Sequence, residues 1–155
     1  MKAPRDLTFA FLVDRTQSLH IDNSRLLKGF LLELVDALDV GPNATHVGLI
    51  LFAKTAKVVT NFDNSNYYSN QALRHRIESI PNKLGSRTYI DRALEAANEK
   101  LFTVDGGDRP KFPNVLVLMT DGRTNENSKN YSEIIPLLKV CLRNIVNKVL
   151  HITKF

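Results

Sequence analysis

LTFAFLVDRTQS, residues 7–18, decides how this chain is read. Leu7 to Asp14 is a short apolar run that is not interrupted at every second position. A strand made from it must therefore be covered on both faces, as in a parallel sheet. The run stops at Asp14, and Thr16 and Ser18 then place two more oxygen-bearing side chains at alternate positions. A plain strand-to-helix turn needs at most one such residue as a cap. Three of them, at i, i+2 and i+4, imply that something is held where the strand ends.

The rest of the chain extends this pattern. Residues 22–39 carry Leu26, Leu27, Phe30, Leu31, Leu34, Val35 and Leu38 at helical spacing, with Asp22 or Asn23 placed to cap. Gly41-Pro42-Asn43 ends that helix. His46–Ala53 reads as a second buried strand and Lys57–Phe62 as a third. The short connection over Ala53–Ala56 makes these two a hairpin, and the lysines suit a sheet edge. Residues 70–79 and 89–102 read as helices, and Asn114–Thr120 as a fourth, fully apolar strand. Residues 131–146 read as a helix, with a last strand over Lys148–Thr153. Apolar strands alternating with amphipathic helices give an α/β three-layer sandwich with a mainly parallel, doubly wound sheet and one antiparallel edge strand.

Bulk properties set the outer limits. A length of 155 residues suits one domain, and 43% apolar with 24% charged residues suits a folded core. The net charge of +5 is uneven. Lys139, Arg143, Lys148 and Lys154 follow Ile134 with no acid among them, which leaves the body near +1. No basic patch interleaved with aromatics and no recognition helix accompanies this charge, so nucleic acid is not an expected partner. No apolar run approaches a membrane span, and MKAPRDLTF lacks the apolar stretch of a signal peptide. The expectation is a cytosolic protein or a piece of a longer secreted one. Cys141, the single cysteine, excludes an internal disulfide and falls on a helical stripe with Leu138, Leu142 and Ile145.

Ligands of open α/β sheets bind outside the carboxyl ends of the strands. Asp14 and Asp121 both stand at such an end. Three segments are expected to converge there: Asp14-x-Thr16-x-Ser18, Gly85-Ser86-Arg87-Thr88 ahead of a helix, and Thr120-Asp121-Gly122. They offer carboxylates and hydroxyls, with no imidazole or thiolate. All-oxygen donors select a hard cation, and Mg²⁺ or Mn²⁺ fits. Neutral hydroxyls leave much of the metal charge uncancelled, so a carboxylate from outside is attracted to an open position.

These three segments, in this order and spacing, resemble the metal-ion-dependent adhesion site (MIDAS) of von Willebrand factor A domains, as carried by matrilins, collagen VI and integrin inserted domains. The resemblance is strongest over residues 6–140 of a single domain spanning 1–155. It implies that Thr16 and Ser18 bind the metal directly and that Thr88 joins them when ligand is present. Asp14 and Asp121 would act through water or as acceptors behind the ligands, and an Asp or Glu of a protein ligand would complete the coordination. It further implies a secreted, extracellular, non-enzymatic module, with collagen or another matrix or cell-surface protein as partner. Thr16 departs from the usual serine, Ala93 from a common glycine, and Ile90 from a second threonine. The family's further strand and C-terminal helix, which shifts in inserted integrin domains to switch affinity, are expected to be missing. Asn43 and Asn130 begin glycosylation sequons, which matter only in a secreted protein.

One feature comes from this sequence alone. Arg15, Arg87 and Arg123 each stand next to a proposed ligand or its loop, and on the rim of the site they would steer acidic ligands toward it. Two alternatives use the same residues. A structural matrix module would leave the metal site idle. A Mg²⁺-dependent phosphohydrolase would use Asp14 as nucleophile, but it needs an acid two residues on, where Thr16 stands. Nucleotide binding has no glycine-rich loop to support it. His20, His46, His75 and His151 are scattered without zinc-ligand spacing.

Overall fold

In the computed structural model, residues 6–17, 20–82, 85–120 and 125–129 are described, and the fold is given for these. The apolar run at the start forms β1 (Thr8–Asp14), central in a four-stranded sheet of order β3-β2-β1-β4. β2 (His46–Phe52) and β4 (Asn114–Met119) flank it in parallel, pairing Phe11 with Leu49 and with Val117. β3 (Ala56–Thr60) is the antiparallel edge strand, reached by a tight turn from β2.

Alternation along β1 sends side chains to two separate cores. Ala10 and Leu12 face one with Ile50, Phe52 and Leu118; Phe11 and Val13 face the other with Leu49, Val117 and Met119. The first core is covered by α3 (Ile90–Ala96) and the π-helical turn that continues it, Ala97–Leu101. The second is covered by α1 (His20–Ala37) and α2 (Asn70–Glu78). Both faces of the sheet are therefore buried, as an uninterrupted apolar strand requires. Gly48 permits the close fit on one side, since a Cβ there would lie 2.7 Å from the Phe62 ring. Leu12 has no exposed surface, and truncating it to alanine should cost about 3 kcal/mol.

Two local expectations are corrected. The face of α1 is narrower than its leucines suggest: Leu27, Leu31 and Val35 are buried, whereas Leu26 is 58% exposed. The helix also starts earlier, at His20, whose φ of 56° turns the chain into it. Asp22 is thus inside the first turn, paired on the surface with Arg25, and does not cap it. The helix expected over 131–146, its Cys141 and the strand over 148–153 lie outside the described residues. Among the described residues no helix is long and apolar enough to cross a membrane.

Candidate metal centre

β1 delivers Asp14 at its carboxyl end, where the side chain has no exposed surface. Its Oδ1 accepts the backbone N–H of Thr16 at 2.9 Å, the turn that an aspartate makes with the residue two places on. Its Oδ2 accepts the hydroxyl of Thr120 at 2.7 Å, the residue directly after β4. One carboxylate thus fastens the ends of two neighbouring strands and fixes the backbone that carries Thr16, itself 1% exposed.

The second segment is docked by backbone. Gly85 N–H donates to Arg15 O at 2.7 Å, and Gln17 N–H donates to Gly85 O at 2.9 Å, a parallel bridge between Thr16 and Gly85. Glycine is needed there because a Cβ would come within 2.5 Å of the Ala53 methyl. Three residues later Thr88 is buried, and Tyr89 N–H is tied to Ala53 O in the turn after β2 at 3.1 Å.

The third segment reaches Thr88 through Asn125. Thr88 N–H donates to Asn125 Oδ1 at 2.8 Å, and Asn125 N–H donates back to Thr88 O at 2.9 Å. Lys129 N–H donates to the buried carboxylate of Asp91 at 2.9 Å. Sequence reasoning missed both Asn125 and Asp91. Asparagine four residues after Asp121 was a usable signal, because its side chain can pair with a backbone amide. Of the five expected site residues, Asp14, Thr16 and Thr88 lie at one end of the sheet. Ser18 and Asp121 lie outside the described residues, with Asp121 the next residue after Thr120.

The arginines separate. Arg15 is only 8% exposed, and its guanidinium donates to the carbonyl of Pro81 beneath the loop that follows α2. The expectation that it lines the rim is corrected: its side chain is buried and reaches the Pro81 carbonyl. Burial lowers its pKa from the usual value. Lys28 lies nearby, donating to Ile80 O at 2.6 Å, and is lowered first by burial and then by the charge of Arg15. Arg87 is exposed, and Arg123 lies outside the described residues. Asn43 is exposed in the turn before β2; Asn130 is outside the described residues.

Among the described residues, the donors expected at this end are the Asp14 carboxylate, which accepts from the Thr16 amide and the Thr120 hydroxyl, and the threonines it and its neighbours position. Such a set suits a hard divalent cation with oxygen ligands, held by hydroxyls in front of a buried carboxylate. The family model for the von Willebrand factor type A domain matches residues 9–146. The chain belongs to that family.

Similar proteins carry the same domain. Matrilin-3 of Gallus gallus is 30% identical over 129 residues, covering 81% of this chain and 28% of that protein. Matrilin-1 of Mus musculus is 33% identical over 133 residues, covering 84% and 26%. The VWA domain therefore spans about a quarter of the length of these relatives. Among solved structures, proximal thread matrix protein 1 from the mussel byssus has a similar fold, with a TM-score of 0.76 at 24% identity over 87% of this chain and 35% of its own. The same protein with a zinc-occupied MIDAS motif gives 0.78 at 22% identity, over 90% and 37%. These likenesses show a VWA fold with a mixed, mostly parallel sheet between helices, as expected from the apolar strands.

Proposed function

We propose that this domain is a non-enzymatic adhesion module that engages an acidic residue of a protein ligand through a divalent cation. The observation that carries this reading is the buried Asp14 carboxylate, held between the Thr16 amide and the Thr120 hydroxyl, with the Thr88 loop latched beside it. In this reading Thr16, Ser18 and Thr88 supply hydroxyls to the metal, and Asp14 and Asp121 supply negative charge behind them. The cation would add a Lewis-acidic point that takes a carboxylate from the ligand. Mg²⁺ or Mn²⁺ is the proposed ion, on the chemistry of all-oxygen donors. The zinc reported for the mussel protein supports a divalent cation at this position of the fold.

The partner is proposed to be collagen or another matrix or cell-surface protein, and the setting extracellular, within a longer protein. Likeness to matrilins and to a thread matrix protein supports this. The state of Asp14 weighs against the phosphohydrolase reading. A nucleophilic carboxylate needs an oxygen open to attack, and here both are hydrogen-bonded and the residue is fully buried.

Immobilised collagen and fibronectin, probed with the chain in Mn²⁺ or in EDTA, test the reading. Retention in Mn²⁺ that EDTA and Thr16→Ala both remove is expected. Retention equal in EDTA would contradict it and favour a matrix module whose metal site is idle.

A further inference from the structure

Moving Arg15 off the rim leaves a different group of cations beside the site. Tyr89 follows Thr88, is 5% exposed, and is locked by its amide to the Ala53 carbonyl. Its ring and hydroxyl organise two exposed side chains, Arg92 and Arg87. The Arg92 guanidinium lies 4.1 Å from the ring centroid and also donates to the Lys54 carbonyl. Arg87 donates to the Tyr89 hydroxyl at 3.4 Å. Lys54 itself is exposed in the turn between β2 and β3. Among the described residues none of the three forms an ion pair with a carboxylate, whereas Arg25, Arg74 and Lys129 each do.

A guanidinium stacked on an aromatic ring is oriented and partly stripped of water, yet keeps N–H groups for an anion. Holding one guanidinium on the ring and another on the hydroxyl of a single buried side chain also lowers the entropy lost when an anion binds. Among the described residues Arg76 bonds the Ser79 hydroxyl, while Arg25 and Arg74 each bond an acid. These three are arranged without one, on the wall that the Thr88 loop shares with the β2–β3 turn.

We propose that Arg87 and Arg92, held on Tyr89, with Lys54 in the adjoining turn, form a cationic shelf that takes a second acidic side chain of the protein ligand whose first carboxylate completes the metal site. This rests on the reading of metal-dependent capture given above. It adds a specificity: the ligand's acidic residue should lie in an acidic stretch. So short a cationic group suits one or two carboxylates, while a sulfated polysaccharide needs a longer cationic track.

Fluorescence anisotropy tests it with three probes: a peptide carrying one aspartate among glycines and alanines, the same peptide with two added glutamates, and a heparin oligosaccharide. Each is measured in Mn²⁺ and in EDTA. At low salt the chain should prefer the glutamate-bearing peptide by about fivefold, the size of two exposed charge contacts. Arg87→Gln with Arg92→Gln should erase that preference, and high salt should do the same. Tyr89→Phe, which frees only Arg87, should lose part of it. Equal Mn²⁺-dependent binding of both peptides would overturn the shelf and leave the metal reading standing. EDTA-resistant binding of the glutamate peptide that the double variant abolishes would support the shelf and overturn the metal reading. Heparin binding tighter than either peptide, and lost in the double variant, would assign the shelf to a polysaccharide and overturn the proposal. Binding of no probe would overturn both.

Discussion

The two ends of the sheet bury polar groups for different ends. At the carboxyl ends of β1 and β4 the central group is an acceptor, the Asp14 carboxylate, which orders an amide and a hydroxyl around it. At the amino ends the central group is a donor. Arg109 gives hydrogen bonds to Leu7 O at 2.6 Å, Ala44 O at 3.0 Å and the Thr8 hydroxyl at 3.4 Å, with its guanidinium 4.3 Å from the Phe112 ring centroid. Beside it His46 stacks on Tyr68 at 4.4 Å and bonds the Pro42 carbonyl through Nε2. A donor-rich plug there ties up the carbonyls of Leu7 and Ala44, just ahead of β1 and β2. An acceptor cluster where strands end, with buried threonines beside it, is the end for which we propose a cation. The same α/β layering thus has a structural end and an end proposed for binding.

That contrast can be broken at either end. The largest stability loss should come from Arg109→Ala, about 3 kcal/mol, because it strands strand-start carbonyls and removes the ring contact. Urea unfolding should register this loss while Mn²⁺ affinity stays unchanged; lost Mn²⁺ affinity in the folded variant would show that the ends are not separate. Gly85→Ala should do the reverse. The new methyl collides with Ala53, so stability should fall by about 1 to 2 kcal/mol and Mn²⁺ affinity by about tenfold as the Thr88 loop is displaced. Thr120→Val is milder: it removes one donor to Asp14 and should cost about 1 kcal/mol, with a smaller loss of metal affinity.

The smallest effect is one of pH, and it belongs to the structural end. Burial lowers the pKa of His46 from its usual value, and the charge of Arg109 adds to this; the Pro42 and Phe62 carbonyls and Asp63 oppose it. Nε2 is bonded to Pro42, and burial disfavours the charged ring more than the neighbouring carbonyls favour it. The fold therefore holds the neutral ring. A group lowered in the folded state takes up its proton first in the unfolded chain, so stability should decline as pH falls through about 6.5. One group gives at most about 1.4 kcal/mol per pH unit. Chemical unfolding between pH 7.5 and 5.5 should reveal the slope, and His46→Phe, which keeps the stack on Tyr68, should flatten it. An unchanged slope would assign the acid sensitivity elsewhere.

The binding end was more legible in the sequence than the structural end, for a physical reason. Asp14 and Thr16 sit two residues apart on the rim of an apolar strand, and the hairpin of β2 and β3 needs only a short turn, so local pattern suffices. Arg109 lies in a loop without periodicity, and its partners Leu7 and Ala44 are 102 and 65 residues away. Nothing local distinguishes it from a surface arginine. Arg15 misled for the same reason, since its partner Pro81 is 66 residues on. The outward turn of Leu26 was hidden because spacing alone cannot set the width of a buried helix face.

The central claim is that the carboxylate at the end of β1 organises a site for a divalent cation. Calorimetric titration of the chain with Mn²⁺ and Mg²⁺, beside Asp14→Ala, tests it most directly. Saturable one-site binding by the chain, lost in an Asp14→Ala variant that still unfolds cooperatively, is the predicted result. Equal binding by Asp14→Ala, or none by the folded chain, would contradict it.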